Sequence, residues 1–204
     1  MAAQKKSLRA SERAEAARAA WRDEAAALDP ARVVFLDETS THTALTRLRA
    51  RAPRGQRAVG AAPRNHGPNA ALLAAVTPTG MGPGVVFEGA ADRLACEAFV
   101  GQFLVPGLRR GQVVVLDNLS AHKGERVRRL IEGKGCRLLF LPPSSPDFNP
   151  IELAFAKVKA RLRRAAARER PALAAAIGEA LAAVTAAAAR GCFAHCGFPL
   201  PEAD

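Results

Sequence analysis

The sequence predicts an α/β protein in which helices flank a mixed central sheet. Strand-type apolar segments come first along the chain and later alternate with helical segments, which is typical of α/β architecture. One run, 113–116, has consecutive apolar residues throughout, as expected for a strand buried on both faces between helices. Of the 204 residues, 49% are hydrophobic and 24% are charged, so the chain can form a core and is not disordered as a whole.

The first half of the chain predicts a helix, three strands and a second helix. Residues 7–28 are rich in Ala, Arg and Glu, carry Trp21 and end before Asp29-Pro30, which closes the helix. The following segments are strands at 32–37, 69–78 and 84–88, a Gly- and Pro-rich turn at 79–83, and a helix at 92–107. Between the first two strands, residues 42–68 are basic and interrupted by Pro and Gly, and an irregular strand around 44–51 is left open.

The second half alternates strands and helices. Its segments are a strand at 112–117, a helix at 123–134, a strand at 136–141, a Pro-rich loop at 142–150, a strongly basic helix at 151–168, an Ala-rich helix at 171–190 and a tail at 191–204. The chain is therefore divided into a helical arm at 1–30, an α/β domain at 31–170, and a C-terminal helix and tail at 171–204.

An excess of basic residues favours a polyanionic partner. The chain has 30 Lys and Arg against 19 Asp and Glu, a net charge of +11, and an isoelectric point near 10.7. Nucleic acid is the first candidate, although charge alone fits a solvated basic surface about equally well. No apolar run is long enough to span a membrane and the N-terminus lacks the apolar core of a secretory signal, so the expected compartment is the cytoplasm.

Cysteine usage favours buried thiols over disulfides or a metal centre. A disulfide framework is not expected in a cytoplasmic chain. The cluster Cys192, His195 and Cys196 suggests a metal site, but no second Cys/His pair stands at zinc-finger spacing. Buried or incidental thiols are the favoured interpretation.

Two predicted strands share one design at their carboxyl ends. The apolar runs 33–36 and 113–116 each lead into an aspartate, Asp37 and Asp117. An ionised carboxylate there is costly unless a metal ion or a cation compensates it, and α/β sheets build their sites at the carboxyl ends of strands. One such aspartate could simply cap a turn, but the coincidence of two favours a site.

A third acid, Glu152, follows the Pro-rich loop. Asn149 suits the N-cap of the next helix, Pro150 the first helical position and Glu152 the third. Glu152 is therefore either the acid of a capping box or a carboxylate that the rigid loop positions to complete a metal site. The local sequence leaves these two interpretations about equal.

Three sequence blocks together resemble the catalytic blocks of the DDE transposases, in particular the mariner-like superfamily and its bacterial insertion-sequence branch. The blocks are 36–39, 116–123 and 141–152, and the third, which contains Pro-Pro-Ser-Ser-Pro-Asp-Phe-Asn-Pro-Ile-Glu, is the most specific. Asp117 and Glu152 are 35 positions apart. The resemblance extends from about residue 5 to the segment 193–198.

The resemblance implies an RNase H-like fold, with 31–170 as the catalytic domain and Asp37, Asp117 and Glu152 as catalytic, metal-binding acids. It implies two magnesium ions, which manganese can replace. Hard oxygen ligands suit magnesium, and two ions about 3.5–4 Å apart activate the attacking group and stabilise the leaving oxygen. The implied reaction is DNA strand cleavage and strand transfer during transposition of an insertion sequence.

Further residues are predicted around the acids. Asn118 and His122 are candidates for orienting a phosphate or the attacking group, and His122 fits a locally packed residue equally well. Glu38 is interpreted as a supporting residue, with a spare metal ligand as the alternative, and Asp147 as a turn residue. The residues predicted to contact the DNA backbone are Lys123, Lys157, Lys159, Arg161, Arg163 and Arg164. A solvated basic face is the alternative for this set.

The expected partners are DNA, both transposon ends and target, and further copies of the chain on that DNA. The resembled proteins usually carry N-terminal helix-turn-helix domains, and the about 30 residues before the first strand are too few for them. A separate or frameshift-joined helix-turn-helix subunit is therefore expected. Ser40 and Ser144 replace common aromatic residues, so a truncated, inactive remnant that only binds DNA or a partner stays the alternative.

Overall fold

The computed structural model describes residues 13–47, 49–66, 69–118 and 124–201, and its centre is a five-stranded sheet. The strands are β1 (Val33–Thr41), β2 (Ala70–Thr77), β3 (Gly80–Glu88), β4 (Val113–Leu116) and β5 (Arg137–Phe140). Their order is β3-β2-β1-β4-β5. The first three pair antiparallel, whereas β1, β4 and β5 are parallel. The mixed sheet predicted from the sequence is confirmed.

Helices cover both faces of the sheet. They are α1 (Glu15–Ala26), α2 (Arg93–Phe99), α3 (Glu125–Gly133), α4 (Pro150–Ala165), α5 (Arg170–Ala182) and α6 (Ala186–His195). Because successive strand residues point to opposite faces, Phe35 packs in a main core with α1, α4, α5 and α6, while Leu36 packs in a second core under α2 and α3. Trp21 of α1 is only 4% exposed in the main core, so α1 is packed firmly against the sheet.

The hairpin between β2 and β3 is tighter than the sequence predicted. Most of the segment interpreted as a turn at 79–83 belongs to β3, and the turn itself is only Pro78-Thr79. Pro83 is tolerated because β3 is an edge strand, where an N–H can face away from the sheet. Gly80 has φ of 134°, a conformation that L side chains rarely adopt.

The single Ala-rich helix predicted at 171–190 is wrong, because α5 and α6 are separate helices bent by 76°. Thr185 begins α6 by accepting a hydrogen bond from the Ala188 N–H at 3.2 Å, and Val184 is buried in the main core. Helix α6 then extends into the predicted tail. Within the described ranges, no one helix has the length and apolar character to cross a membrane, although the bent α5–α6 pair meets both requirements jointly.

Helices α2, α3 and α4 agree with the predicted segments to within a few residues. The first helix, predicted from residue 7, begins at Glu15: residues 13 and 14 are not helical, and residues 7–12 lie outside the described part of the chain. Helix α2 continues through a π-helical turn (Val100–Leu104) and a 3₁₀ turn (Val105–Gly107), which together fill the predicted helix at 92–107. Helix α4 ends three residues early because Ala166 adopts a left-handed φ of 50°. The described residues between β1 and β2 contain no strand, and the irregular one considered at 44–51 is not found among them.

All four cysteines are buried free thiols, as the sequence favoured. Burial raises the pKa of Cys96 and of Cys196 to about 12, and it also raises the pKa of Cys192. For Cys96, the nearby carboxylates of Glu38, Glu97 and Asp117 raise the pKa further. The thiols of Cys96, Cys192 and Cys196 are therefore protonated at neutral pH.

We expect the folded protein to resist alkylation by iodoacetamide at neutral pH, because the thiolate is the reactive form and these thiols are also shielded from solvent. Mass spectrometry should detect four modified cysteines only after unfolding in urea. Rapid modification of Cys192 or Cys196 in the native protein would contradict this expectation and would show that α6 opens readily.

Candidate active site

The strand register places Asp37 and Asp117 side by side. Strands β1 and β4 pair in parallel up to Leu36 and Leu116. The next residue after each is an aspartate, so the two aspartates lie at neighbouring positions where this pairing ends. The sequence predicted that Asp37 ends its strand. Pairing with β2 instead continues β1 to Thr41. Instead, Asp37 lies where pairing with β4 stops, and it is only 5% exposed.

Glu152 lies at the same site as Asp37 and Asp117, although it belongs to a helix and not to the sheet. The loop after β5 leads into the first turn of α4, which carries Glu152. A cavity of about 380 Å³ is lined by Asp37, Asp117 and Glu152, and Asn118 also contributes to its wall. The rest of the wall is the loop at 141–149. The fold thus brings the three acids, far apart in sequence, to one cavity.

Asn149 contributes to this site in a way that the sequence did not indicate. It occupies the N-cap position of α4, but its side chain makes no capping hydrogen bond. Its Nδ2 donates instead to Asp37 Oδ2 at 2.8 Å, and the Glu38 backbone N–H donates to Asp37 Oδ1 at 2.7 Å. Both oxygens of Asp37 accept from N–H donors, which fixes the orientation of the carboxylate.

The capping box considered for Glu152 does not form. In that motif the Glu152 side chain would accept from the backbone N–H of Asn149. That N–H donates to the Pro146 carbonyl at 3.0 Å, and the Glu152 N–H bonds to the Asn149 carbonyl rather than to its side chain. Glu152 is solvent-exposed and lines the cavity.

The supporting residues predicted around the acids are placed differently from one another. Asn118 lines the cavity. Glu38 does not; it lies near Cys96 of the second core, and its Oε2 is buried without a hydrogen-bond partner in the described part of the chain. His122 and Lys123 lie outside the described residues.

Among the residues that the structure describes, those lining the cavity offer oxygen donors. Asp37, Asp117 and Glu152 supply carboxylates and Asn118 supplies an amide, and this described lining contains no thiol or imidazole. Donors of this kind fit magnesium or manganese. Within the described ranges, no three His, Cys, Asp or Glu side chains already form a group that could hold a metal ion. The acids therefore line the cavity without forming a closed set of ligands.

A buried arginine from α1 contacts the loop that carries Asn149. Arg18 is 1% exposed; its Nη1 donates to Ser145 Oγ at 2.6 Å and to Asp147 Oδ1 at 3.0 Å, and its Nη2 donates to Asp147 Oδ2 at 2.5 Å. Its guanidinium lies 4.1 Å from the centre of the Phe148 ring. The hydrogen bond from Arg18 and its charge lower the pKa of Asp147. Asp147 lies in a 3₁₀ turn, as predicted, but it also forms this ion pair.

The basic residues predicted to contact DNA divide between two flanks of α4. Lys159 and Arg163 follow Glu152 by about two and three helical turns, so they share its side of the helix, here named the cavity flank. The remaining described members lie across the buried stripe, on the outer flank beside α5 and α6: Lys157, Arg161 and Arg164. Their contact with DNA stays a prediction.

The connection between β1 and β2 forms a further basic surface. The basic loop, residues 47–64, contains no acidic residue, and its described residues are exposed. Its arginines are Arg47, Arg49, Arg51, Arg54, Arg57 and Arg64. None of them forms an ion pair within the described ranges. The base of the loop is closed by Thr43 Oγ1, which donates to the His66 carbonyl at 3.2 Å, and by stacking of the His42 and His66 rings at 4.3 Å.

Comparison with known proteins identifies the family. The family model described as DDE superfamily endonuclease matches residues 32–174, a span that contains all three acids of the cavity. The chain belongs to this family. None of the curated proteins matches the sequence of this endonuclease-family chain.

Solved structures of Mos1 transposase share the fold of this DDE-family chain. The Mos1 paired-end complex with the left transposon end has a TM-score of 0.72 at 17% identity, over 90% of this chain and 57% of that one. The Mos1 strand transfer complex has a TM-score of 0.71 at 16% identity, over 97% and 64%. The isolated Mos1 catalytic domain has a TM-score of 0.62 at 13% identity, over 90% and 85%.

These similarities establish the fold, which is RNase H-like as predicted. The chain spans less than two thirds of the length of the Mos1 chains in the two complexes, 57% and 64%. It covers most of the isolated catalytic domain.

Proposed function

We propose that the chain is the catalytic domain of a transposase that cleaves and joins DNA strands with divalent metal, in a mobile element of the bacterial insertion-sequence type. The observation that carries the proposal is that Asp37, Asp117 and Glu152 line one cavity in a chain that belongs to the DDE endonuclease family. The long block at 141–152, which resembles that branch of transposases, supports the finer assignment.

In this proposal Asp37, Asp117 and Glu152 would hold two magnesium or manganese ions. Paired-end complexes of Mos1 have been solved with Mg and with Mn. When bound, such ions lower the pKa of the attacking water or hydroxyl and neutralise charge on the leaving oxygen. The residues of the chain itself shape the site. Asn149 holds the Asp37 carboxylate in place, Asn118 lines the cavity, and Glu152 is exposed, so a DNA phosphate can approach it from the solvent side.

The proposed partners are transposon-end and target DNA, further copies of the chain on that DNA, and a helix-turn-helix subunit that recognises the transposon ends. Cytoplasmic, nucleoid-associated action follows from such partners. The net charge of +11 and the exposed, unpaired arginines of the basic loop support a polyanionic partner.

Nicking of supercoiled plasmid tests the proposal. Purified protein should convert supercoiled DNA to open circles in magnesium or manganese and not in EDTA. The assay should be run alone and with any helix-turn-helix protein encoded beside it, because end recognition requires that subunit. DNA binding without nicking under all these conditions would overturn the proposal of an active enzyme. It would support the alternative, an inactive domain that only binds DNA.

Charge removal on α4 should separate its two flanks. We expect Lys159→Ala with Arg163→Ala to weaken binding to unrelated duplexes by about 10-fold and to reduce the slope of log affinity against log salt by up to about 2, since each lost phosphate contact changes it by about 0.9. Both residues share the side of Glu152. Fluorescence anisotropy over a salt series measures the effect.

The outer flank provides the matched control. Lys157→Ala, Arg161→Ala and Arg164→Ala together remove more charge, yet they should change affinity less because they lie against α5 and α6. An equal or larger loss in this triple variant would place the DNA on the outer flank. If neither variant affects binding, the basic face of α4 is only solvated.

A further inference from the structure

We propose that Arg18 is a positioning residue for the cavity: it locks the segment 145–149 and thereby fixes Asn149 against Asp37 and the start of α4 that carries Glu152. The catalytic consequence rests on the proposed function, whereas the structural consequence does not. Arg18 and its contacts Ser145, Asp147 and Phe148 are named here the Arg18 cluster.

The burial of Arg18 indicates a specific role. A guanidinium that is 1% exposed is unfavourable unless it is paired and hydrogen-bonded. The Arg18 guanidinium donates hydrogen bonds to Ser145 and Asp147, which both belong to one loop more than 120 residues away in sequence. The two-pronged pairing with Asp147 uses the planar fork of arginine, which lysine lacks.

The loop has a conformation that requires such support. Ser144 adopts a left-handed φ of 50° although it is not glycine. Strained backbone of this kind persists only where surrounding contacts over-determine it. Ser145 Oγ accepts from Arg18 and itself donates to the Pro143 carbonyl at 3.1 Å. The Ser145 hydroxyl, which accepts from Arg18, thus links the residues on either side of the strained Ser144.

A short path of hydrogen bonds connects the Arg18 cluster to the cavity. The Phe148 N–H donates to the Ser145 carbonyl and the Asn149 N–H donates to the Pro146 carbonyl, which closes the 3₁₀ turn. The Asn149 side chain then donates to Asp37, and Glu152 follows in the first turn of α4. A displacement of about 1 Å in such a segment can cost about 100-fold in rate.

Helix α1 is itself well anchored. Trp21, one turn after Arg18, is buried in the main core, so α1 is a fixed support from which Arg18 reaches the loop. Arg22 lies one turn further than Arg18 along the same helix, 5.4 Å from the Phe148 ring, but it is exposed and makes no hydrogen bond to the described part of the chain. It therefore provides a matched control.

The test compares Arg18→Gln with Arg22→Gln. Hydrogen–deuterium exchange without metal should show at least about 10-fold faster exchange at the Phe148 and Asn149 amides in Arg18→Gln, with the amides of β1 and β2 unchanged. Plasmid nicking should fall about 10- to 100-fold in turnover, with DNA affinity unchanged, as found for residues that orient metal ligands. Arg22→Gln should behave as wild type in both measurements.

Asp147→Asn provides a second variant that changes an exposed side chain. It should reproduce the faster local exchange, and the double variant with Arg18→Gln should show less than the sum of the two effects, because both disrupt one contact. Arg18→Lys should restore only part of the protection, since lysine cannot make the two-pronged pairing.

If wild type fails to nick, the proposed function fails, while the exchange result still decides the role of Arg18. Unchanged exchange at Phe148 and Asn149 in both variants, or a rise that is uniform over the sheet, would overturn the proposal.

Discussion

Replacing Asp117 with asparagine should abolish metal-dependent nicking and leave the fold intact. Asparagine keeps the size and much of the hydrogen bonding of aspartate, but it lacks the charge that binds a divalent cation. We expect the nicking rate to fall by more than about 100-fold, because residues that only support metal ligands already cost about 10- to 100-fold when removed. Conversion of supercoiled to open-circular plasmid, in magnesium and in manganese, measures the rate.

Asp23→Asn is the matched control, because Asp23 is an exposed aspartate on α1 that makes no side-chain hydrogen bond or ion pair within the described residues. It should nick like wild type. DNA affinity of Asp117→Asn should be kept or increased, since a negative charge is removed from the cavity, and circular dichroism should report an unchanged fold. Undiminished nicking by purified Asp117→Asn would show that the activity comes from a contaminant or from another site.

The central sheet, and a site at aspartates that follow two of its strands, could be predicted because both follow from short-range patterns. Unbroken apolar runs indicate buried strands, and the carboxyl ends of neighbouring parallel strands lie at one edge of the sheet. Asp37 and Asp117 directly follow the last residues of the paired stretch of β1 and β4. The strand runs favoured a site at both aspartates, and the resemblance of the three blocks implied that they converge. The role of Glu152 could not be predicted from its local sequence, because only the resemblance of the whole block at 141–152 favoured a site over a helix cap.

Other features depend on contacts that no local pattern contains. An arginine in a helix such as α1 is expected to be solvated, and Arg18 is buried by residues distant in sequence, among them Ser145, Asp147 and Phe148. The break between α5 and α6 contains neither Gly nor Pro, so an Ala-rich run reads as one helix until Val184 is packed into the core. The start of β3 was read as a turn because Gly and Pro usually mark turns, yet an edge strand accepts them.

Asn149→Ala should impair the site although Asn149 is not an acid. Its Nδ2 donates to Asp37 Oδ2 at 2.8 Å inside the protein, so alanine removes a donor that orients a buried carboxylate. We expect manganese affinity, measured by calorimetry, and the nicking rate each to fall by about 10- to 100-fold. The free energy of unfolding should fall by about 1–3 kcal/mol, the usual cost of removing one partner of a buried polar group.

Asn149→Ser distinguishes this role from helix capping. Serine is as good an N-cap as asparagine, but its shorter side chain does not extend to Asp37 from the same backbone position. If Asn149 mainly capped α4, the serine variant would recover stability, metal affinity and nicking together. Because the structure shows no capping bond from the Asn149 side chain, we expect serine to leave manganese affinity and nicking as low as alanine does. Full recovery with serine would mean that the bond to Asp37 contributes nothing to the site.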